Sequence, residues 1–333
     1  MSEPPQSGPL RKSLVSRCQI DTAVLCAESE LFYVAVDRRL QSLIQAAAHT
    51  EQLPDYDWEK QVATRPPKWL SPQHFWIARQ GEERPIEISI GSLIGQLRRI
   101  RIEPRPPLHL AQLGDGYVRA SIELIERDLE RTAKERCFLT PLEEAEANKY
   151  VPVFQCALDL IGASWPSAKT ELDVYVREVV LLSGRWFRSS SISSAFGAVF
   201  LLPRCEWNAV HYADLLLHEC AHHALSVKES LVRFLDNPDE YATGSLRDDA
   251  RPMRSLMHAL FVLARVLFGL RSIALIAPVN LAPTAQQLFQ EYENHFDRTR
   301  RVIEENARPT KYGMMLLDDV DQLVTRSREV PIC

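Results

Sequence analysis

The order of hydrophobic and polar residues predicts a chain that begins with helices. Residues 21–49 carry apolar side chains at helical spacing and contain neither proline nor glycine, which predicts one long helix. The same reasoning predicts helices over 117–134 and 141–161, the second with a threonine as N-cap and a proline at its first position. A proline-interrupted stretch separates these helices, and within it residues 87–98 are compatible with either a strand or a helix.

The pattern changes beyond residue 165. Residues 172–182 are rich in valine, and residues 191–202 form a second β-prone run after a glycine-containing turn, so we expect two paired strands. Two long apolar helices are predicted over 208–227 and 252–270, and a charged amphipathic helix over 286–306. The expected fold class is therefore mainly α with a small β-sheet (α+β).

The length of 333 residues suits one large or two modest domains. We expect a mainly helical N-terminal region over 1–165, with a role in substrate recognition, and a C-terminal region over 166–333 that carries the chemistry. With 46% hydrophobic and 25% charged residues, most of the chain should fold. The net charge of −5 provides no overall attraction for phosphate backbones or anionic lipid, so nucleic acid is not an expected partner.

The seven cysteines are scattered and never form a close CxxC pair. This argues against a disulfide framework or a cysteine zinc knuckle and favours a cytoplasmic location. The first twelve residues contain no apolar run after their charges, so we expect a disordered lead-in and no signal peptide. The most apolar region, 256–281, is interrupted by His258, Arg265 and Arg271, which favours a buried helix over a membrane span.

An HExxH motif, His218-Glu219-Cys220-Ala221-His222, lies on the first long apolar helix, shortly after a β-prone run. Histidines four residues apart share one face of a helix, so both imidazoles can bind one metal ion. This predicts a metalloprotease-like core of a strand followed by the HExxH helix. In zinc peptidases with this motif the glutamate acts as general base, whereas a chance match would leave two packing histidines.

Other polar residues of this helix have competing interpretations. Asp214 lies one turn before His218 and either orients that imidazole or interacts with the dipole of the helix N-terminus. We assign His211 and His223 to packing or to the surface.

The third ligand decides the class of reaction. The metzincin pattern is excluded, because it requires glycine and histidine where this chain has Leu225 and Lys228. A gluzincin would use a later glutamate, but Glu229 follows on the same helix and Glu240 lies in a polar loop, so neither is well placed. His258, in the middle of the second apolar helix, is the better candidate.

Arginines accompany His258 along its helix. Arg254 lies one turn before it on the same face, Arg251 lies nearby, and Arg265 follows two turns later. A guanidinium beside a metal site is suited to bind a carboxylate through paired hydrogen bonds. The alternative is that each arginine pairs with an acidic residue of the protein.

Three segments together resemble a known family. They are Gly197–Leu201, the helical Leu215–His223, and Arg247–Val266, which reads RDDARPMRSLMHALFVLARV. They are similar to the HExxH-type iron(II)/2-oxoglutarate-dependent hydroxylases, whose domain is described as an HEXXH-motif peptide-modification domain. The chain departs from that pattern at Leu246, where the family tends to have tryptophan, and at Ala250, where it tends to have proline.

The resemblance implies an iron(II) site with three histidine ligands: His218, His222 and His258. It also implies that Arg247 and Arg251 bind the 2-oxoglutarate carboxylate or brace the loop, while Arg254 is added by helix geometry alone. Three protein ligands on a six-coordinate iron leave three positions for the cosubstrate and dioxygen. Glu219 then has no obligatory proton-transfer role and is a candidate neighbour of the ligands or a weak ligand itself.

The functional expectation is hydroxylation of an unactivated carbon, at the β-carbon of an amino acid residue in a peptide or natural-product precursor that is carrier- or leader-bound. The edge of the strand near 197–202 is expected to hold an extended peptide. The alternatives are a zinc metallopeptidase with Glu219 as general base and a non-catalytic helical scaffold or binding module.

Overall fold

A computed structural model describes residues 18–51, 70–83, 109–110, 116–133, 137–243 and 250–329. Its helices are α1 (Thr22–Glu51), α2 (Pro72–Glu83), α3 (Gly116–Ala133), α4 (Glu144–Ala147), α5 (Val151–Ser164), α6 (Pro166–Tyr175), α7 (Ala209–Leu231), α8 (Met253–Ile276), α9 (Ala282–Asn306) and α10 (Lys311–Glu329). Its strands are β1 (His109–Leu110), β2 (Thr140–Pro141), β3 (Glu178–Ser183), β4 (Ser189–Ser191), β5 (Ala198–Leu201), β6 (Tyr241–Thr243) and β7 (Ala250–Pro252). The protein is mainly helical with a small mixed sheet, which confirms the expected α+β fold class.

The chain forms two compact units, each assembled from separate segments. The first takes its described residues from 1–28, 151–172 and 205–333, and the second takes its own from 29–150 and 173–204. The expected boundary after residue 165 falls inside the first unit. The HExxH helix α7 and the helix α8 that carries His258 both belong to this first unit.

Helix α8 is the central element of the first unit, where it packs against α5, α7, α9 and α10. Its length and hydropathy would allow it to cross a membrane, yet most of its residues are buried inside the protein. Burial against four helices explains why this helix is apolar on almost every face. The prediction of a buried helix is confirmed.

Glycine at position 269 allows α7 and α8 to approach closely. A Cβ atom at Gly269 would lie 2.5 Å from Leu217 Cδ1 on α7 and 3.6 Å from the ring of Trp165. A side chain at this position would therefore require Leu217 to move. Glycine lowers the stability of a helix, but at this position it allows the two helices to pack closely.

Two buried ion pairs lie in the first unit. Arg265 on α8 binds the Glu171 carboxylate with both terminal guanidinium nitrogens, of which Nη2 lies at 2.9 Å, and its Nε donates to the Cys18 carbonyl at 3.1 Å. Lys228 on α7 lies 2.7 Å and 3.0 Å from the two carboxylate oxygens of Glu28 on α1. Arg265 therefore has an internal partner and is not available for a bound carboxylate. For this arginine, the alternative that it pairs with an acidic residue of the protein is confirmed.

Burial and neighbouring charges shift the pKa values of Arg265 and of the nearby Cys18. Burial opposes the charged guanidinium, yet the Glu171 carboxylate raises the pKa of Arg265 above its usual value. Burial also raises the pKa of the Cys18 thiol to about 12, against the opposing charge of Arg265. Cys18 is therefore a neutral, unreactive thiol at physiological pH.

The second unit contains the sheet, in the strand order β1-β3-β5-β4. Strands β1, β3 and β5 are parallel, β4 is antiparallel to β5, and β2 pairs with the end of β3. Every residue of β5 and all but the last of β3 are buried, which is typical of parallel strands covered on both faces. Because β5 pairs with β3 and β4, it is not an edge strand, and the expectation that an extended peptide adds to the edge near 197–202 is wrong.

Several predicted boundaries differ from the structure. Pro141 does not begin a helix, because Thr140 and Pro141 pair with the end of β3, where a residue without an N–H is tolerated. Residues 172–175 are the end of α6, so only the second half of the first predicted strand is extended. Helices α2 and α10 were not predicted, while the segment 87–98 and the first twelve residues lie outside the described residues.

The remaining helix predictions are confirmed with small shifts. Helices α1, α3, α7, α8 and α9 begin within a few residues of their expected starts, and the two β-prone runs pair with each other. Long, strongly periodic segments are the ones that sequence identifies most securely.

The Lys228–Glu28 pair yields a stability prediction. Lys228→Met leaves the buried Glu28 carboxylate without its partner and should lower the free energy of unfolding by about 3–5 kcal/mol. Adding Glu28→Leu should restore most of that loss, because two apolar side chains need no compensating charge. Urea denaturation followed by circular dichroism measures both variants, and equal destabilisation of the single and double variants would contradict a buried, coupled pair.

Candidate metal centre

Helix α7 has a well-defined beginning that fixes the position of its polar face. The Asn208 side chain accepts a hydrogen bond from the Val210 backbone N–H at 3.0 Å, and His211 Nδ1 accepts one from the Asn208 N–H at 3.2 Å. This reciprocal arrangement satisfies N–H groups that have no partner within the helix. The His211 ring also stacks on Trp207 with centroids 5.8 Å apart, so His211 is a capping residue.

The HExxH motif lies in the middle of α7. The rings of His218 and His222 are 5.1 Å apart between centroids and inclined by 59°, as expected for neighbours on one helix face. Both histidines are half-buried, whereas the residues around them on α7 are almost all buried. The structure therefore confirms that the two imidazoles of the motif lie side by side.

His258 reaches the same place from α8. Its ring lies 5.7 Å from that of His222 between centroids and is nearly parallel to it, with 19° between the planes. The two Nδ1 atoms are 3.4 Å apart. Two nitrogen ligands of one metal ion, each about 2.1 Å from it, are separated by about 3.0–3.4 Å, so this spacing suits a shared ion.

The loop before α8 determines where His258 lies along that helix. The first N–H groups of α8 donate to backbone carbonyls, Met253 N–H to Glu240 at 2.7 Å and Arg254 N–H to Pro238 at 2.9 Å. Asn237 ties this loop to the end of α9, because its amide donates to the Asn306 carbonyl at 2.9 Å. The beginning of α8 is thus held by backbone hydrogen bonds.

Glu229 is the site residue that sequence reasoning set aside. Its Oε2 lies 2.9 Å from His258 Nε2, so it belongs to the histidine cluster. The signal was present in the sequence, because Glu229 follows His222 by seven residues, or two helical turns, and so lies on the same face of α7. Glu240, the other glutamate considered, instead pairs with Arg308 and Asn237.

Burial and neighbouring histidines keep His222 neutral. Removal from water lowers the pKa of His222 well below its usual value, and the nearby His218, His258 and His223 add to that effect. The neutral imidazole is the form that binds a metal ion. An ion at this position would not have to displace a proton from His222.

The donor types suit a divalent ion such as zinc or iron(II), although the described side chains do not surround one. Within the described ranges, no three histidine, cysteine or carboxylate side chains are arranged to enclose an ion. The residues that do come together are three imidazoles, which suit zinc or iron(II), with one carboxylate beside them. The donor types, and the Nδ1 separation of the His222–His258 pair alone, are those expected for ligands of such an ion.

The described residues among the remaining candidates lie on α7, on α8 or on the strand before α8. Glu219 is 2% exposed on α7, next in sequence to His218. Arg251 is half-buried on β7, and Arg254 is exposed in the first turn of α8, one turn before His258. Arg247 lies between β6 and β7, outside the described residues.

Asp214 has a buried partner on another helix. The Tyr292 hydroxyl on α9 donates to Asp214 Oδ2 at 2.9 Å. This hydrogen bond connects α7 to α9 one turn before the HExxH motif. The carboxylate thereby stabilises the packing of the helix that carries two of the three histidines.

Comparison with known proteins adds no assignment. The chain matches no model of a known protein family and no curated protein.

The cluster predicts which substitutions abolish metal binding. The wild-type protein should bind one divalent ion, and His222→Ala and His258→Ala should each weaken that binding by more than about 100-fold, since losing a ligand costs more than losing a neighbour of a ligand. His295→Ala on α9 is a matched control that should bind like the wild type. Equilibrium dialysis against Zn²⁺ with elemental analysis measures the affinity, and unchanged binding by His258→Ala would mean that His258 is not a ligand.

Proposed function

We propose that the protein is an iron(II)- and 2-oxoglutarate-dependent oxygenase that hydroxylates an unactivated carbon. The observation that carries this proposal is the approach of His258 to the HExxH histidines, with its Nδ1 3.4 Å from that of His222. Three imidazoles from two packed helices would hold the iron(II) ion, for which nitrogen is a suitable donor. When bound, iron(II) with 2-oxoglutarate supplies the oxidising power that a carbon–hydrogen bond requires.

The residues of the chain have distinct roles in this proposal. His218, His222 and His258 would hold the metal, each of them half-buried on the packed helices α7 and α8. Arg251 and Arg254 stand at the start of the helix that carries His258, where a guanidinium can bind the carboxylate of the cosubstrate. Arg247, four residues before Arg251 in the sequence, is a further candidate to bind this carboxylate.

The proposed substrate is an amino acid residue of a peptide or natural-product precursor, oxidised at the β-carbon. Support for this choice is the resemblance of the 215–223 and 247–266 segments to the peptide-modifying hydroxylases. The overall reaction consumes one 2-oxoglutarate and one dioxygen and yields succinate, carbon dioxide and the hydroxylated substrate. The proposed setting is the cytoplasm, with iron(II) and 2-oxoglutarate as cofactors and no nucleic acid or membrane partner.

A zinc metallopeptidase is the second candidate. It is favoured by the position of Glu219, which directly follows a proposed ligand on α7 and is the residue that acts as general base in HExxH peptidases. In that case zinc would take the place of iron and the peptide would be cleaved. The two candidates share the metal site and differ in the need for Glu219 and for 2-oxoglutarate.

Succinate production with Glu219→Gln separates the two candidates. The oxygenase proposal predicts that wild-type protein supplied with iron(II), 2-oxoglutarate and air forms succinate, and that Glu219→Gln keeps much of this activity because its carboxylate transfers no obligatory proton. His258→Ala should form none. Succinate is measured by mass spectrometry, together with candidate peptides examined for the gain of one oxygen atom.

The opposite pattern would contradict the oxygenase. If wild-type protein with zinc cleaves peptides and forms no succinate, and if Glu219→Gln abolishes the cleavage, the protein is a peptidase. If Glu219→Gln and His258→Ala both keep the full activity of the wild type, whether succinate formation or peptide cleavage, the histidine cluster is not catalytic.

A further inference from the structure

Both ring nitrogens of His258 face side chains of α7. Nε2 lies 2.9 Å from Glu229 Oε2, and Nδ1 lies 3.4 Å from His222 Nδ1. His222 and Glu229 stand two turns apart on the same rigid helix. The orientation of the His258 ring is thus set by α7, although the residue itself belongs to α8.

A carboxylate at Nε2 also selects the tautomer of the imidazole. A carboxylate oxygen is an acceptor, so at this distance the Nε2 atom carries the hydrogen and donates it. In a neutral imidazole the other nitrogen, Nδ1, then presents its lone pair. That lone pair is on the side of the ring that faces His222, where a shared ion would be bound.

The helix around Glu229 is well anchored. Its chain neighbour Lys228 forms the buried ion pair with Glu28, with 4% of each side chain exposed. The side chains of Glu229 and His258 are themselves 26% and 18% exposed, so their contact is partly shielded from water. A hydrogen bond in such a setting is stronger than one on an open surface.

We propose that Glu229 is a positioning residue that holds His258 as its Nε2–H tautomer and directs Nδ1 to the metal. The inference rests on the proposed function only in taking His258 as a ligand. Metal-binding histidines commonly donate their second ring N–H to a carboxylate, and loss of such a partner typically weakens metal binding by about 10- to 100-fold. Glu229 acts through His258 and does not itself bind the ion.

The first readout needs no metal. In metal-free wild-type protein labelled with ¹⁵N-histidine and kept at alkaline pH, His258 should give the two-bond correlation pattern of the Nε2–H tautomer. His258→Ala identifies the signal. Glu229→Ala should shift His258 towards a mixture of both tautomers, whereas Glu304→Ala, an exposed carboxylate on α9, should leave the signal unchanged.

The second readout is Co²⁺ binding, followed by the visible spectrum of the bound ion. We expect Glu229→Ala to weaken Co²⁺ binding by about 10- to 100-fold, and Glu229→Gln, which keeps an acceptor oxygen without the charge, to weaken it less. The shape of the spectrum should stay that of the wild type, because the ligands are unchanged. Glu304→Ala should bind Co²⁺ with the wild-type affinity.

The possible failures are distinguishable. If wild-type protein binds no Co²⁺, the metal site of the proposed function fails, while the tautomer measurement still tests the role of Glu229. If the wild type binds Co²⁺ and Glu229→Ala has the same affinity and the same His258 tautomer, the positioning role is overturned. If Glu229→Gln changes the shape of the spectrum, Glu229 is itself a ligand and the positioning role is likewise overturned.

Discussion

The close packing of α7 against α8 is the constraint on which the candidate centre depends. His222 and His258 are 36 residues apart in sequence, and only this helix pairing brings their ring nitrogens to 3.4 Å. The pairing is close because Gly269 leaves room for Leu217 and Trp165. It is fixed along the axis of α8 because the backbone carbonyls of Pro238 and Glu240 hold the first turn of that helix.

The buried ion pairs make this packing specific. An apolar helix such as α8 could slide or rotate against apolar neighbours with little change in buried area, but Arg265 has one good position, against Glu171 and the Cys18 carbonyl. Lys228 restricts α7 in the same way through Glu28. Such pairs add little net stability compared with apolar side chains, and here each connects one helix of the centre to a separate segment of the first unit. The packing of α7 against α8 places Glu229 opposite His258.

Sequence alone predicted which histidines lie near one another better than it predicted the residues that surround them. The HExxH spacing and the apolar setting of His258 were sufficient to predict that three histidines lie at one site. Helix periodicity is a local property, so it can be read from the sequence. The partners of Arg265 and Glu229 were missed because they depend on which helices pack together, and that depends on contacts between residues far apart in the chain. Pro141 was misread for the same reason, since its pairing with β3 is not visible in the local pattern. The position of β5 inside the sheet likewise follows from the strand order and not from its own residues.

The most direct test of the account is the visible spectrum of the protein with iron(II) and 2-oxoglutarate under anaerobic conditions. The proposed oxygenase should give a weak charge-transfer band that appears only when iron(II) and 2-oxoglutarate are both present, since the cosubstrate would bind the iron held by the three histidines. Zinc in place of iron should give no band. Absence of the band from wild-type protein that contains stoichiometric iron(II) and saturating 2-oxoglutarate would contradict the oxygenase assignment.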